Sequence, residues 1–159
     1  MITFEVMGSV PDYRSPESSL LYSPAEYSFL VAEPPQGEVG SVLVNDLELH
    51  VDMNGVVLYV DGYAPSLGWV AVQLDPPQGT LVSVRARIGQ TIEPGVSYRL
   101  VAPHDWPIVF DPENGWICCG QPTVADEAQI CMIRPDTVLV IESGLLTAVW
   151  LCPASLPGD

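Results

Sequence analysis

Apolar and polar residues alternate along most of this chain, in short runs rich in Val, Ile, Leu, Thr and Tyr. The runs are separated every few positions by turn-forming residues, among them 16 prolines and 13 glycines. Alternation with a period of two between turn formers is typical of β-strands. The pattern predicts strands at 2–7, 26–32, 41–44, 47–53, 56–61, 69–74, 80–88, 96–102, 107–110, 115–119, 128–133, 137–142 and 145–151.

Helical periodicity is almost absent from the sequence. Every longer stretch is interrupted by proline, glycine or strand-like alternation, so no long amphipathic helix is predicted. A short helix is expected only around 23–28, where Ser23 precedes Pro24 and proline favours the first helical position. The chain is therefore predicted to be all-β. An antiparallel β-sandwich and a strongly bent barrel, each built from short hairpins, are the two packings that cover both faces of such strands.

The clearest predicted hairpin joins 47–53 to 56–61 across Asn54 and Gly55. Asn-Gly is the preferred two-residue type I′ loop, because both residues tolerate positive φ. The register that this loop sets gives one wholly apolar face with the pairs Met53 with Val56, Val51 with Leu58, and Leu49 with Val60.

The other face of this hairpin carries ionisable side chains. They are Glu48, His50 and Asp52 on the first arm and Tyr59 and Asp61 on the second. The same register places Glu48 opposite Asp61, and like charges in that position destabilise a sheet. A divalent cation would offset the repulsion with Glu48, His50 and Asp61 as its ligands. A carboxylate whose pKa is raised for acid–base chemistry would also relieve it, and so would a neighbouring arginine.

Neighbouring arginine is the alternative that the sequence favours. Arg85 and Arg87 lie at period-two spacing in the predicted strand 80–88, and Arg99 lies in the strand that follows. Cross-strand ion pairs with the hairpin acids would fix register, although exposed pairs contribute only about 0–1 kcal/mol each. On this interpretation the site needs no metal ion, and the sequence predicts no cofactor.

Two more hairpins are predicted nearer the C-terminus. Ser143 and Gly144 join 137–142 to 145–151, whose second arm is nearly all apolar. Such a strand is either buried on both faces or forms an oligomer contact. The segment DPENG joins 107–110 to 115–119, with proline at its second position and glycine at its end, as in a β-turn.

The tetrapeptide PPQG occurs twice, at 34–37 and at 76–79, each time after an acid and before a predicted strand. Proline fixes φ and glycine permits a turn, so both copies are interpreted as one structural way of entering a strand. A duplication of units near 33–62 and 75–102 is the alternative. The length of 159 residues fits one all-β domain spanning 1–159.

Other residues able to carry chemistry lie in predicted loops. Tyr63, Trp69, His104 and Trp106 could form an aromatic rim that stacks on a ligand such as a sugar. No serine lies in a nucleophile-elbow context, so the adjacent His104 and Asp105 are not interpreted as part of a triad. The four cysteines, at 118, 119, 131 and 152, lack the paired spacing of zinc sites and are predicted to be reduced, buried thiols.

The charge of the chain restricts its partners. A formal charge of −15 arises from 20 acids against five arginines, without lysine. Binding to nucleic acid depends on basic residues, and so does attraction to an anionic membrane surface, so neither partner is predicted. The N-terminal residues lack the basic and apolar regions of a signal peptide, and no segment approaches the about 20 apolar residues of a membrane span. A cytoplasmic location is therefore expected.

Together these features predict a non-enzymatic, acidic binding protein of a bacterial cytoplasm. Its expected partner is a basic protein, for example a toxin masked by an immunity or inhibitor protein, because complementary charge speeds encounter. One alternative is a structural or assembly subunit that forms a homo-oligomer through apolar strands such as 145–151, in line with the mean hydropathy of +0.27. The other is a small-ligand or carbohydrate-binding β-module built on Glu48, His50, Asp61 and the aromatic loops.

Overall fold

A computed structural model of the chain describes residues 1–8 and 19–155, and it confirms the all-β fold. These residues form fifteen strands and one turn of 3-10 helix at Ser66–Gly68, without an α-helix. No helix in the described residues is long and apolar enough to span a membrane. The strands are β1 (Thr3–Val6), β2 (Leu20–Ser23), β3 (Ser28–Val31), β4 (Gly40–Val44), β5 (Leu47–Val51), β6 (Val57–Tyr63), β7 (Val70–Ala71), β8 (Thr80–Leu81), β9 (Val84–Arg87), β10 (Ser97–Val101), β11 (Ile108–Phe110), β12 (Ile117–Gly120), β13 (Gln129–Arg134), β14 (Thr137–Glu142) and β15 (Leu145–Leu151).

The described strands form three sheets, mostly antiparallel. The six-stranded sheet has the order β10-β4-β5-β6-β3-β2, and the seven-stranded sheet has the order β7-β11-β12-β15-β14-β13-β8. Strands β1 and β9 form a separate two-stranded sheet. None of the three sheets closes on itself. The described strands therefore pack as the predicted β-sandwich, and they do not form the strongly bent barrel.

The main core lies between the two large sheets, where alternate residues of both meet. The six-stranded sheet supplies Val42, Val44, Leu47, Leu49, Val51, Val57 and Val60, and the seven-stranded sheet supplies Ile117, Cys119, Cys131, Ile133, Leu139, Ile141, Val149 and Leu151. A second apolar cluster covers the outer face of the seven-stranded sheet and contains Leu74, Cys118, Val138, Val140, Ala148 and Trp150. Strand β15 is therefore buried on both faces, as its apolar sequence predicts.

The four cysteines are free, and three are buried as predicted, whereas Cys152 is only partly buried. The adjacent pair points to opposite faces of β12. Cys119 belongs to the main core and Cys118 to the second cluster. Burial raises the pKa of the Cys118 and Cys119 thiols to about 12 each. Cys131 is also buried, and its pKa is raised to about 11. Such thiols stay protonated near neutral pH, so they are poor nucleophiles and poor metal ligands.

The turn between β5 and β6 differs from the predicted type I′ loop. Gly55 has a φ of +85°, whereas Asn54 is not among the residues with positive φ. The Gly55 amide donates to the Asp52 carbonyl at 3.0 Å, and the Asp52 amide donates to the Val56 carbonyl at 3.1 Å. This geometry is a three-residue loop, a type I turn followed by a glycine bulge. Met53 lies in the loop with 75% of its surface exposed, so its predicted pairing with Val56 is wrong.

The altered turn shifts the pairing of the hairpin by one residue. Val51 faces Val57 instead of the predicted Leu58, which is buried in a small separate cluster. An irregularity in the ladder between His50 and Val51 then shifts the pairing back. Beyond that point the predicted pairs Leu49 with Val60, His50 with Tyr59 and Glu48 with Asp61 are all confirmed.

Three sequence-based expectations about local structure were wrong. The segment 23–28 is not helical, since β2 and β3 form a hairpin whose turn includes Tyr27 at a φ of +53°. Burial of Leu20 and Tyr22 in the main core stabilises β2, which the pattern did not predict. The predicted strand 80–88 is divided between β8 and β9 in different sheets, and 69–74 is reduced to β7.

The hairpins β11–β12 and β14–β15 form as predicted. In the second of these, Ser143 and Gly144 both have positive φ, at 51° and 80°. Each PPQG copy also precedes a strand, β4 or β8. The two final glycines differ, however, because Gly37 has a φ of +100° and open space around it. Gly79 instead packs so closely that a Cβ would lie 2.5 Å from the Ile130 carbonyl oxygen.

Candidate functional site

A group of polar side chains converges on the outer face of the six-stranded sheet. Strand β5 directs its apolar residues into the core, and the residues between them, Glu48 and His50, point outwards. The register of β6 brings Tyr59 opposite His50 and Asp61 opposite Glu48. Glu38, from the segment before β4, also contacts His50. We call Glu38, Glu48, His50, Tyr59 and Asp61 the outer-face cluster.

His50 lies at the centre of the outer-face cluster, surrounded by carboxylates. Its Nε2 is 2.6 Å from Asp61 Oδ1 and 3.8 Å from Glu48 Oε2. Its Nδ1 is 2.9 Å from Glu38 Oε1, but this contact is too bent to be a hydrogen bond, so Nδ1 is buried without one. Only 8% of His50 is exposed. The three carboxylate side chains are partly open to solvent, at 24% for Asp61 and 39% for each glutamate.

Tyr59 fixes the position of both His50 and Glu38. Its ring stacks on the imidazole with a centroid distance of 4.4 Å and an interplanar angle of 18°. Its hydroxyl donates to Glu38 Oε2 at 2.8 Å. Burial raises the pKa of Tyr59 well above its ordinary value, and the hydrogen bond to Glu38 and the nearby negative charges add to this rise. Tyr59 therefore remains a hydrogen-bond donor at any physiological pH.

The carboxylates favour the protonated form of His50. Burial alone would lower the pKa of the imidazole, but the hydrogen bond and charge of Asp61, together with Glu38, outweigh it and raise the pKa above 6.5. For Glu38, burial would raise the pKa, but the contacts with Tyr59 and His50 outweigh it and lower the pKa. One imidazole is thus surrounded by three acidic side chains, so the outer-face cluster contains more acidic groups than basic ones.

The arginines expected to neutralise these acids bind elsewhere, so that prediction is wrong. Arg85 and Arg87 both contact Glu5, at 3.5 Å and 2.9 Å, because β9 pairs along its length with β1 and meets the hairpin only at an isolated bridge between Arg85 and Val56. Arg99 lies in β10 in the same sheet as the hairpin. Its Nη1 donates to the backbone carbonyls of Asn45 and Val101, at 2.6 Å and 2.8 Å. The basic side chain that the structure places between Glu48 and Asp61 is His50.

Asp52 belongs to the predicted polar face but serves the turn. Its Oδ1 accepts hydrogen bonds from the amides of Asn54 and Val56, at 2.8 Å and 3.0 Å. These bonds stabilise the three-residue loop. Glu38, in contrast, was not predicted, although it contacts both His50 and Tyr59. The sequence signals Glu38 only by its place two residues before β4. In the structure, the Val39 amide donates to the Val51 carbonyl at 2.9 Å and so continues the β4–β5 ladder next to Glu38.

Three of the four predicted aromatic rim residues come together in a second site. Trp69, His104 and Trp106 line a pocket of about 290 Å³. Tyr63 does not line it and is 47% exposed. Asn45, which the sequence did not single out, anchors one wall, because its side chain bonds the backbone of Trp106 through both amide atoms, at 2.9 Å and 3.0 Å. Ligand binding at this pocket stays a prediction.

Trp69 also contributes to the core, which limits its role in that pocket. The indole is 8% exposed and packs against the rings of Tyr22, Phe29 and Phe110, with centroid distances from 5.0 to 5.9 Å.

The outer-face cluster is more open than this pocket and carries more ionisable groups. One ligand atom from each of Glu48, His50 and Asp61 lies within 4.8 Å of the others, a spacing that suits a metal ion. Searches against protein-family models, curated proteins and solved structures found no match to this chain.

Proposed function

We propose that this protein is a non-enzymatic binding module that engages a basic protein partner through the outer face of its six-stranded sheet. The observation that carries the proposal is the outer-face cluster, in which Glu38, Glu48 and Asp61 share a single imidazole. The arginines that would have neutralised these carboxylates have other partners. Partly exposed carboxylates accept charge-assisted hydrogen bonds from arginine or lysine of a partner.

Apolar side chains continue the same face towards the edge of the sheet. Leu21 and Leu30 are cross-strand partners in β2 and β3, and their exposed fractions are 38% and 40%. Tyr63, two residues beyond Asp61 in β6, lies on the same side of the sheet and is 47% exposed. Exposed aliphatic and aromatic residues next to charged ones supply the contact area that protein interfaces need. This combination supports a protein partner at this face.

The net charge of the chain supports a basic partner. At −15, the chain attracts basic proteins over distances limited by salt screening and so increases the rate of encounter. The free cysteines support a reducing compartment such as the cytoplasm as the place of that encounter. Inhibition of a basic toxin by an immunity protein is the specific form of this function that we propose. Self-association through β15 receives no support, since this strand lies inside its sheet between β12 and β14.

The proposal is tested by capture with two variants of equal charge change. The first, Glu48→Gln with Asp61→Asn, alters the outer-face cluster. The second, Glu33→Gln with Asp75→Asn, removes two exposed acids that precede the PPQG segments. Immobilised wild-type protein and the second variant should retain the same basic protein from native-cell extract at low salt, and the first variant should lose it.

Two results would contradict this proposal. If both variants lose the partner equally, net charge and not the outer face determines binding. If wild-type protein retains no basic protein, the function itself is wrong. If wild-type protein does retain a basic protein, that protein should be purified and titrated against each variant, because direct binding excludes capture through a third component.

A further inference from the structure

We infer that the outer-face cluster binds one divalent transition-metal ion of the Zn²⁺ type, with Glu48, His50 and Asp61 as its protein ligands. This inference concerns the same carboxylates as the basic partner proposed above, and its experiments contain no partner protein, so the two can fail separately. Its first support is geometric, because the three side chains offer one donor atom each within 4.8 Å of one another. They come from two adjacent strands whose register is fixed by hydrogen bonds on both sides of β5.

The donor set matches the preferences of first-row transition metals. One imidazole nitrogen and two carboxylate oxygens resemble the three-protein-ligand zinc sites in which water completes the tetrahedron. Mg²⁺ and Ca²⁺ prefer sites made only of oxygen, so the imidazole selects against them. The partial exposure of Glu48 and Asp61 gives an ion access from solvent and leaves room for a water ligand.

The contacts of His50 indicate how an ion would enter. The 2.6 Å separation of His50 Nε2 and Asp61 Oδ1 is that of a short hydrogen bond. Two tetrahedral ligands of Zn²⁺ lie roughly 3.4 Å apart, given metal–ligand distances of about 2.1 Å. The ion therefore replaces the proton, and the Asp61 carboxylate moves outwards by less than about 1 Å. Glu48 Oε2, at 3.8 Å from Nε2, is already close to that spacing.

The surroundings of His50 provide the support that a metal-bound histidine needs. Such a histidine presents its second ring nitrogen to a carboxylate, which fixes the ring orientation and the tautomer. Here Glu38 Oε1 is 2.9 Å from Nδ1, and Tyr59 holds that carboxylate through its hydroxyl. Glu38 and Tyr59 are therefore positioning residues. This arrangement leaves Nε2 as the ring nitrogen that faces Glu48 and Asp61.

The burial of His50 separates this site from an ordinary group of surface acids. The residue is more than nine-tenths buried, and its Nδ1 lacks an in-line hydrogen bond. A buried imidazole loses its hydration, so the groups around it must make up for that loss. An ion on Nε2 would add a bond to the ring and attract Glu48 and Asp61, while Nδ1 keeps its contact with Glu38.

The test begins with the wild-type protein and metal alone, after treatment with chelator. Calorimetric titration with Zn²⁺ should show one site, and Mg²⁺ at the same concentrations should show none. Glu48→Gln should weaken Zn²⁺ binding more than about tenfold, because it removes a ligand. Glu5→Gln is the matched control, since Glu5 is equally exposed, at 39%, lies on another sheet and carries the same charge. Its affinity for Zn²⁺ should equal that of wild type.

A second measurement needs no variant and therefore does not depend on the folding of one. The chain has two histidines, His50 and His104, so their ring nitrogen resonances can be assigned and followed separately. Zn²⁺ should shift the Nε2 resonance of His50 and leave those of His104 unchanged. Absence of binding to wild type, equal binding to Glu48→Gln, or a shift confined to His104 would each overturn the inference. No partner protein is present in either experiment, so failure here leaves the proposed function standing.

Discussion

The outer faces of the two large sheets differ in what covers them. On the seven-stranded sheet, the second apolar cluster buries the outward side chains of β12, β14 and β15, including Trp150. On the six-stranded sheet, the outward side chains of β5 and β6 form the outer-face cluster around His50. Both sheets share the main core on their inner faces. One outer face therefore stabilises the fold through buried apolar contacts, and the other is the face that we propose for binding.

The sequence of each sheet accounts for this difference. Strand β15 is nearly all apolar, so that both of its faces must be buried. Strand β5 alternates apolar residues with Glu48 and His50, so only its inner face is buried in the core. The segments before β8 and after β12 cover the seven-stranded sheet, with Leu74 and Val124 among the contacts. On the outer face of the six-stranded sheet, His50 and Tyr59 are buried while Glu48 and Asp61 stay partly exposed.

The largest effect that we expect comes from the covered face. Trp150 is fully buried and packs edge-to-face on Trp116, so Trp150→Ala should lower the free energy of unfolding by about 3–5 kcal/mol. Leu30→Ala on the open face, where Leu30 is 40% exposed, should cost about 1 kcal/mol or less. Urea denaturation measures both values. Equal losses for the two variants would show that the outer faces do not differ in the way described.

A smaller effect, visible as a dependence on pH, concerns the segment that covers the seven-stranded sheet. Asp111 is buried and accepts hydrogen bonds from the amides of Leu74 and Glu113, at 2.8 Å and 2.9 Å. These bonds lower the pKa of Asp111 below 3.8. A lowered folded-state pKa gives stability that is present above the unfolded-state value and lost as pH falls through the folded-state value.

Asp111→Asn should therefore destabilise the protein near pH 7, and the difference from wild type should shrink once the pH falls below about 4. Urea denaturation of both proteins at several pH values provides the measurement. A difference that stays constant from about pH 7 to about pH 3 would show that ionised Asp111 does not hold the covering segment.

The polar face of the β5–β6 hairpin could be predicted because two departures from the predicted register cancel. The bulged turn at Gly55 shifts the pairing one way, and the irregularity after His50 shifts it back. Period-two alternation depends only on local backbone geometry, so it placed Glu48 opposite Asp61 correctly. The turn itself was mispredicted because Asn-Gly fits both loop types and the choice depends on how the strands twist and pack.

The partners of side chains could not be predicted in the same way. Alternation places Arg85 and Arg87 on one face of β9, but it does not reveal that β9 pairs with β1. That pairing joins residues far apart in the sequence and is determined by tertiary packing. Glu38 was missed for the same reason, since its contact with His50 depends on the path of the segment before β4. Local patterns thus predict faces, and the global fold decides which charges meet.

The most direct test of the central claim is the pKa of His50, measured by ring-nitrogen NMR in the presence of chelator. The claim is that His50 is the cation shared by the outer-face carboxylates. Burial opposes protonation, but Asp61 and Glu38 outweigh it, so the measured pKa should lie above 6.5 and should fall in Asp61→Asn. A pKa at or below 6.5 that is the same in both proteins would contradict the claim, because the acids would then not converge on His50.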